Sequence, residues 1–341
     1  MCGFCWNRCI ALCLPEDFWE TENLWATMET YRRKRKKMKK YGFWIGMLCA
    51  CGDVQEKPDP FSDDVWDQSN PSSPTGEPAQ EENEEVDDDY CDYVYLLERR
   101  LSGSEYFPYL WRFDPATTNL VELGFLDCPF QPGDYLIAMT ADQKGQLWFL
   151  SNYEYLFVAY PSTLSCSATN IPAFSSGVRS RSLAFMRTDE DAQDQLFFSS
   201  YLEDSLERQG ALTSLVQNQL TVVGEIPGFV GNGAVMELAG SATGRIFGQS
   251  FAMGESSHFV ELNPYTGDVL RDTDLGIESG NAFTFSILED YAWMFLSTGN
   301  YGYSEVFRYH PDSNDLEYIK TLSTTMLGSA APTCSENTSG S

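Results

Sequence analysis

The sequence predicts an all-β domain, a five-bladed β-propeller whose ring is closed by pairing between the two ends of its own repeat region. Three observations carry this. Short aromatic strand segments recur from residue 92 onward at intervals of roughly 50 residues, the length of a four-stranded propeller blade: Tyr93–Leu97, Gln146–Ser151, Gln195–Ser200, Arg245–Ser250 and Ala292–Ser297. Each is followed by a second strand, and several of these end in an Asx-Pro or similar step. The ends of the region are complementary fragments of a single unit. The composition agrees, because aromatic residues (14%) and 26 glycines favour strands and tight turns over helices.

Within a unit the elements follow in a fixed order. An apolar strand with small residues comes first, as in Tyr135–Met139, Ser182–Met186, Ala234–Leu238 and Phe283–Ile287. Ala138, Ala184 and Ala234 suit the innermost strand, where blades crowd the axis. A polar turn such as Ala141–Gly145 leads into the aromatic strand. The third strand runs through Leu110–Asp114, Leu156–Tyr160, His258–Asn263 or Val306–His310, before Pro115, Pro161, Pro264 and Pro311. Asx side chains initiate turns and proline presets φ. The third copy, Gly210–Leu215, lacks the proline. A fourth strand closes each unit, as at Leu120–Gly124, Gln219–Val223, Asp268–Leu270 and Leu316–Ile319.

The count of units is set by the ends. The region opens on a second strand with no first strand before it, and closes on a first-strand-like piece, Met326–Ala331, with no second strand after it. Joining them completes a fifth blade and removes the free sheet edges. A six-bladed ring or a β-sandwich is the architectural alternative. Cys91 and Cys334 flank the pieces that would pair. Cys128 and Cys166 follow outer strands of successive blades. Four cysteines allow three pairings, and the topology selects Cys91 with Cys334 and Cys128 with Cys166.

The N-terminal region reads differently. The basic run Arg32–Lys40 precedes the apolar stretch Tyr41–Ala50, a pattern of charged and hydrophobic regions found in secretory signals. The apolar stretch is about half the length that spans a bilayer. Leu48-Cys49-Ala50-Cys51-Gly52 resembles a bacterial lipobox, which makes Cys51 the expected lipidation site, with Cys49 a departure from the usual small residue. Met38 stands where such a signal would start, so residues 1–37 read as an upstream extension. The Cys2, Cys5, Cys9 and Cys13 spacing has the look of a metal cluster, but an exported chain gives it no reducing compartment. Residues 1–50 are thus an extension and signal peptide. Residues 51–91 form an acidic tether too polar to bury a core, residues 92–335 the propeller, and residues 336–341 a tail. The expected location is the bacterial cell envelope, with the chain exported and lipid-anchored. Gly52 lacks the acidic residue associated with inner-membrane retention, which favours the outer membrane.

Formal net charge is −28, from 22 Lys and Arg against 50 Asp and Glu. That balance excludes nucleic acid as a partner, since phosphate backbones are read by basic patches. Two histidines, His258 and His310, leave no multi-histidine metal site. No Gly-x-Ser-x-Gly elbow, phosphate loop or His-Glu-x-x-His motif occurs, so neither a cofactor nor a catalytic residue is expected. Propeller ligands usually sit at the channel mouth, on the loops entering the innermost strands. Here those loops offer Asp134, Arg179, Arg181, Asn232 and Asn281, with Glu237 on an innermost strand. A ring of acid, guanidinium and amide groups can hold a polar ligand. The expected role is that of a monomeric, membrane-tethered module binding a protein or glycan. The alternative is a carbohydrate-active hydrolase, which needs two facing carboxylates. Asp134 and Glu237 are the pair available.

Leu110-Trp111-Arg112-Phe113-Asp114-Pro115, Gly145-Gln146-Leu147-Trp148-Phe149-Leu150-Ser151 and Ala331-Pro332-Thr333-Cys334 resemble the repeats of uncharacterised secreted β-propeller lipoproteins of bacteria, over about residues 92–334. The matching residues are turns and strands. The resemblance therefore implies a fold and no particular activity.

Overall fold

A computed structural model describes residues 88–102, 105–175, 178–188, 194–202, 209–228, 236–250, 256–278, 280, 282–297 and 302–334. The lipobox, the tether up to residue 87, Asn232 and Asn281 lie outside the described residues. A short 3-10 helix, Asp88–Asp92, leads into the strands. The first blade supplies β1 (Val94–Ser102), β2 (Glu105–Asp114) and β3 (Asn119–Phe125). The second is β4 (Leu136–Ala141), β5 (Leu147–Ser151), β6 (Tyr155–Ala159) and β7 (Cys166–Pro172). The third holds β8 (Phe174–Ser175), β9 (Val178–Arg187), β10 (Asp194–Leu202), β11 (Gly210–Val216) and β12 (Gln219–Glu225). The fourth is β13 (Met236–Gly240), β14 (Ile246–Ser250), β15 (Ser256–Leu262) and β16 (Val269–Glu278). The fifth is β17 (Ala282–Leu288), β18 (Tyr291–Ser297), β19 (Ser304–His310) and β20 (Asp315–Leu322), and β21 (Met326–Ala330) ends the series.

These strands form five antiparallel sheets, and the first has the order β21-β1-β2-β3. The last strand of the chain is therefore the innermost strand of the first blade. Tyr95 lies opposite Ala330, and Leu96 opposite Ser329. The inner strands β21, β4, β9, β13 and β17 neighbour one another in that cyclic order, so the ring is five-bladed and closed. Both disulfides have the expected connectivity, Cys91 with Cys334 and Cys128 with Cys166.

Period-two alternation explains why the second strands read as continuous apolar runs. Each blade is buried on both faces. Val94 and Leu96 of β1 pack with Trp293 and Phe295 of the fifth blade. Tyr95 and Leu97, on the other face, pack with Met139 and Phe149 of the second. In β18, Trp293 and Phe295 face blade one, whereas Ala292, Met294 and Leu296 face Phe247 and Phe259 of blade four. The remaining two interfaces are filled in the same way. Each large side chain so buried contributes about 1.5–3 kcal/mol, and five such interfaces replace one central core.

The Asx steps act as turn formers. Asp114 Oδ1 accepts the backbone N–H of Ala116 at 2.9 Å and of Thr117 at 3.2 Å. Asn263 Oδ1 accepts that of Tyr265 at 2.9 Å. His310 takes the same role through Nδ1, which accepts from Asp312 and Ser313 at 3.3 Å. The proline-free third copy uses a two-residue hairpin instead, with Gln217 and Asn218 at φ of 50° and 60°, the left-handed pair of a type I′ turn.

Candidate functional site

The inner strands of neighbouring blades share no backbone ladder, so side-chain hydroxyls join them. Thr140 of β4 accepts the Phe185 amide of β9 at 3.1 Å. Ser182 of β9 accepts the Leu238 amide of β13 at 2.9 Å. Thr284 of β17 donates to Glu237 Oε1 of β13 at 3.2 Å and lies 2.9 Å from Ser329 of β21. Glu237 thus sits among hydroxyls at the axis and is 7% exposed. Burial pushes its carboxyl up to about 8, against the opposing hydrogen bonds from Ser182 and Thr284. At neutral pH it is a neutral acid.

Asp134 precedes β4 at the rim where the chain enters an innermost strand. It is 7% exposed, and its Oδ1 accepts the Tyr135 amide at 2.9 Å. Burial lifts its carboxyl above the usual aspartate range, outweighing the Ser151 hydroxyl and the Tyr135 and Tyr153 amides. The Tyr135 amide is shared with Asn152 Oδ1 at 2.8 Å, which fixes the β5–β6 turn beside this entry. Two tyrosines of that turn and the strand after it, Tyr153 and Tyr155, are 48% and 41% exposed.

Arg179 and Arg181 were expected on a loop, but they lie within β9. The inner strand begins earlier because Phe174 and Ser175 of β8 pair with Arg179 and Val178, extending the sheet past its four-strand pattern. Arg179 Nη1 donates to Glu154 Oε2 at 3.1 Å. Glu154 is 2% exposed and holds φ at 65° in the β5–β6 turn. This acid-guanidinium contact between blades two and three involves a glutamate that sequence reasoning passed over. Nothing in the spacing of residues 154 and 179 marks it, because the pair exists only once two blades are side by side. Arg181 donates to the Tyr201 hydroxyl at 3.0 Å, with its guanidinium carbon 5.3 Å from that ring. The structure therefore places Asp134 just before β4, Arg179 and Arg181 in β9 of the next blade, and Glu237 on the inner strand β13.

The two carboxylates nominated for hydrolysis sit in separate hydrogen-bonded environments. Glu237 is engaged by Ser182 and Thr284, and Asp134 by groups of blade two. Burial raises both carboxyls above their ordinary values. Among the described residues no group of three or more His, Cys, Asp or Glu side chains is placed to hold a metal ion. His258 Nδ1 lies 2.8 Å from Asp272 Oδ1 on an exposed strand.

At the opposite end of the channel, Asp194 ties the closure together. Its Oδ2 accepts the Gln143 amide at 2.6 Å and the Thr333 hydroxyl at 2.5 Å. Tyr90 donates to the Gln143 carbonyl at 3.1 Å. Burial raises the Asp194 carboxyl as well.

No family model and no curated protein sequence matches the chain. Solved structures are similar at low identity. TolB from Acinetobacter baumannii is 12% identical with a TM-score of 0.39, over 71% of this chain and 55% of its own. A Dyadobacter fermentans protein of unknown function is 8% identical with a TM-score of 0.44, over 68% and 80%. Regucalcin, a calcium-binding protein from Agrobacterium tumefaciens, is 14% identical with a TM-score of 0.34, over 69% and 76%. The likeness extends no further than the fold.

Proposed function

We propose that the propeller is a binding module that takes a protein or glycan ligand on the rim where the chain enters the inner strands. In this reading Asp134, Arg179, Arg181, Asn232, Glu237 and Asn281 line or support the site, and the chain is exported and held at a bacterial envelope membrane through a lipid on Cys51. The observation that carries the binding role is the fixed polar rim of blades two and three. There Glu154 holds Arg179 and Tyr201 holds Arg181, so both guanidiniums are positioned before any ligand arrives. Ordering in advance lowers the entropy cost of association. Export is supported by the disulfide pairs, which persist in oxidising compartments.

Binding of the full chain to printed peptide and oligosaccharide panels, compared with an Arg179→Ala/Arg181→Ala variant of unchanged melting temperature, tests the reading. Ligands retained by the native chain should be lost by the variant. Equal binding by both sinks the rim assignment. Turnover of an oligosaccharide that disappears in Asp134→Asn would replace binding by hydrolysis. The anchor is tested by the intact mass of protein extracted from native membranes. A chain beginning at an acylated Cys51 is expected, and a chain retaining residues 1–50 would exclude the anchor.

A further inference from the structure

We propose that Arg99, with Tyr106 and Tyr135, forms a carboxylate-recognition subsite on the rim between blades one and two, and that it takes the free C-terminal carboxylate of a peptide. This deepens the binding-module reading and rests on it, while using residues outside the set named above.

Arg99 stands on β1, Tyr106 on β2, and Tyr135 immediately before β4. The two rings meet at 5.5 Å with a 59° tilt. The Arg99 guanidinium carbon lies 4.5 Å from one centroid and 4.6 Å from the other, so the group sits in the angle the rings make. Contacts of that type occupy the face of a guanidinium and leave its N–H edges available. Those edges have no acceptor among the described residues.

The chain carries 50 acids against 22 Lys and Arg, and several of its arginines pair with acids. Arg100 pairs with Glu98 and Glu122, Arg245 with Glu261 and Asp312, and Arg308 with Glu317. Arg99, though well supplied with potential partners, is held by two rings and faces a shallow pocket lined also by Leu97, Pro108 and Leu136. Leu97 and Leu136 are 1% and 2% exposed, so the pocket floor is apolar. A planar carboxylate matches the guanidinium edge in two parallel hydrogen bonds.

Two features favour a peptide terminus over an acidic sugar. Arg99 already covers the ring faces on which a sugar would stack. The strongly negative chain also repels a polyanion, whereas a peptide brings one terminal acid on a body that is otherwise neutral or basic.

Titration of the full chain, labelled with 15N-arginine, reads this directly. The Arg99 side-chain N–H signal, identified by its loss in Arg99→Lys, is followed during addition of N-acetyl-Gly-Ala, its C-terminal amide, and methyl galacturonide. The peptide acid is expected to shift that signal saturably, with the amide weaker by about ten-fold or more. Calorimetry should show a similar loss for Arg99→Lys and a smaller one for Tyr106→Leu. Equal effects of acid and amide, no shift with the acid, or unchanged acid affinity in both variants would overturn the proposal. Stronger binding of the galacturonide would overturn the choice of a peptide. An Arg99 titration that persists while Arg179→Ala/Arg181→Ala binds the panels like the native chain would sink the wider rim assignment alone. Panel binding without an Arg99 response would sink this subsite alone.

Discussion

Glu237 makes the clearest statement about single residues, because its environment fixes both its proton and its role. Its usual value is 4.5 and burial carries it to about 8. Below about pH 4.5 folded and unfolded chains both hold the proton, and the group adds no pH dependence. Between about 4.5 and 8 the unfolded chain releases it and the folded chain keeps it, so stability falls as pH rises, by roughly 1.4 kcal/mol per unit. Above about 8 the contribution is flat. A neutral acid is also a donor, and its cross-strand partner Gln249 has a buried Oε1 that no described residue supplies with a hydrogen. Glu237→Gln reproduces the neutral acid and should remove most of this slope, raising stability by a few kcal/mol at pH 8 and little at pH 5. Urea midpoints measured across pH 5–9 check it, and parallel curves for the two proteins would refute it. Asp134 and Asp194, both raised by burial, leave a smaller slope of the same sign. Glu237 was legible in the sequence as an acid on an innermost strand. Glu154 was not, because a buried acid paired across two blades leaves no local pattern. Arg99 was missed for a similar reason, since its second ring, Tyr135, belongs to the next blade.

At the scale of the element, turns were the most readable feature, because their chemistry is local. Asp114, Asn263 and His310 each accept amides from the residues that follow, which is what an Asx-Pro step encodes. The start of β9 was less readable, since its extension depends on pairing with β8 and not on its own composition. Two substitutions test element packing. Thr118 holds φ at 57° in the β2–β3 turn, a left-handed conformation costly for a β-branched residue and tolerated by asparagine. Thr118→Asn should raise stability by up to about 1 kcal/mol, and unchanged thermal midpoints would refute it. Gly240 ends β13 against β9, where an added Cβ would fall 1.9 Å from the Phe185 carbonyl oxygen. Backbone cannot yield there as a side-chain tip would. Gly240→Ala should cost roughly 2–3 kcal/mol, read as an earlier denaturant midpoint, and a cost below about 0.5 kcal/mol would mean the two blades lie further apart.

For the whole molecule, stability depends on closing a ring from repeats that each bury two faces. Of five interfaces of similar make-up, each a separate apolar cluster, the two that flank blade one are complete only when β21 reaches β1. The two fragments at the ends of the repeat region made that closure legible, and so did the cysteines beside them. The surrounding supports were not legible. Thr333 bonding to Asp194 of blade three, and Tyr90 to the β4–β5 turn of blade two, bring together residues far apart in the chain. The closing disulfide joins residues separated by 243 positions, and the second joins residues separated by 38. Restricting the unfolded chain is worth about 5 kcal/mol for a loop of the first size and about 4 for the second on the chain-entropy model. The larger difference is structural. Loss of the Cys128–Cys166 bond leaves the ring intact, whereas loss of Cys91–Cys334 lets β21 part from β1 and exposes two strand edges at once. Cys91→Ser/Cys334→Ser should therefore melt earlier than Cys128→Ser/Cys166→Ser. Below its melting point it should also show faster amide exchange in β21 and β1 than in β5 or β14. Equal melting of the two variants, with β21 as protected as β14, would mean that strand pairing and the inter-blade cores hold the ring shut without the covalent closure.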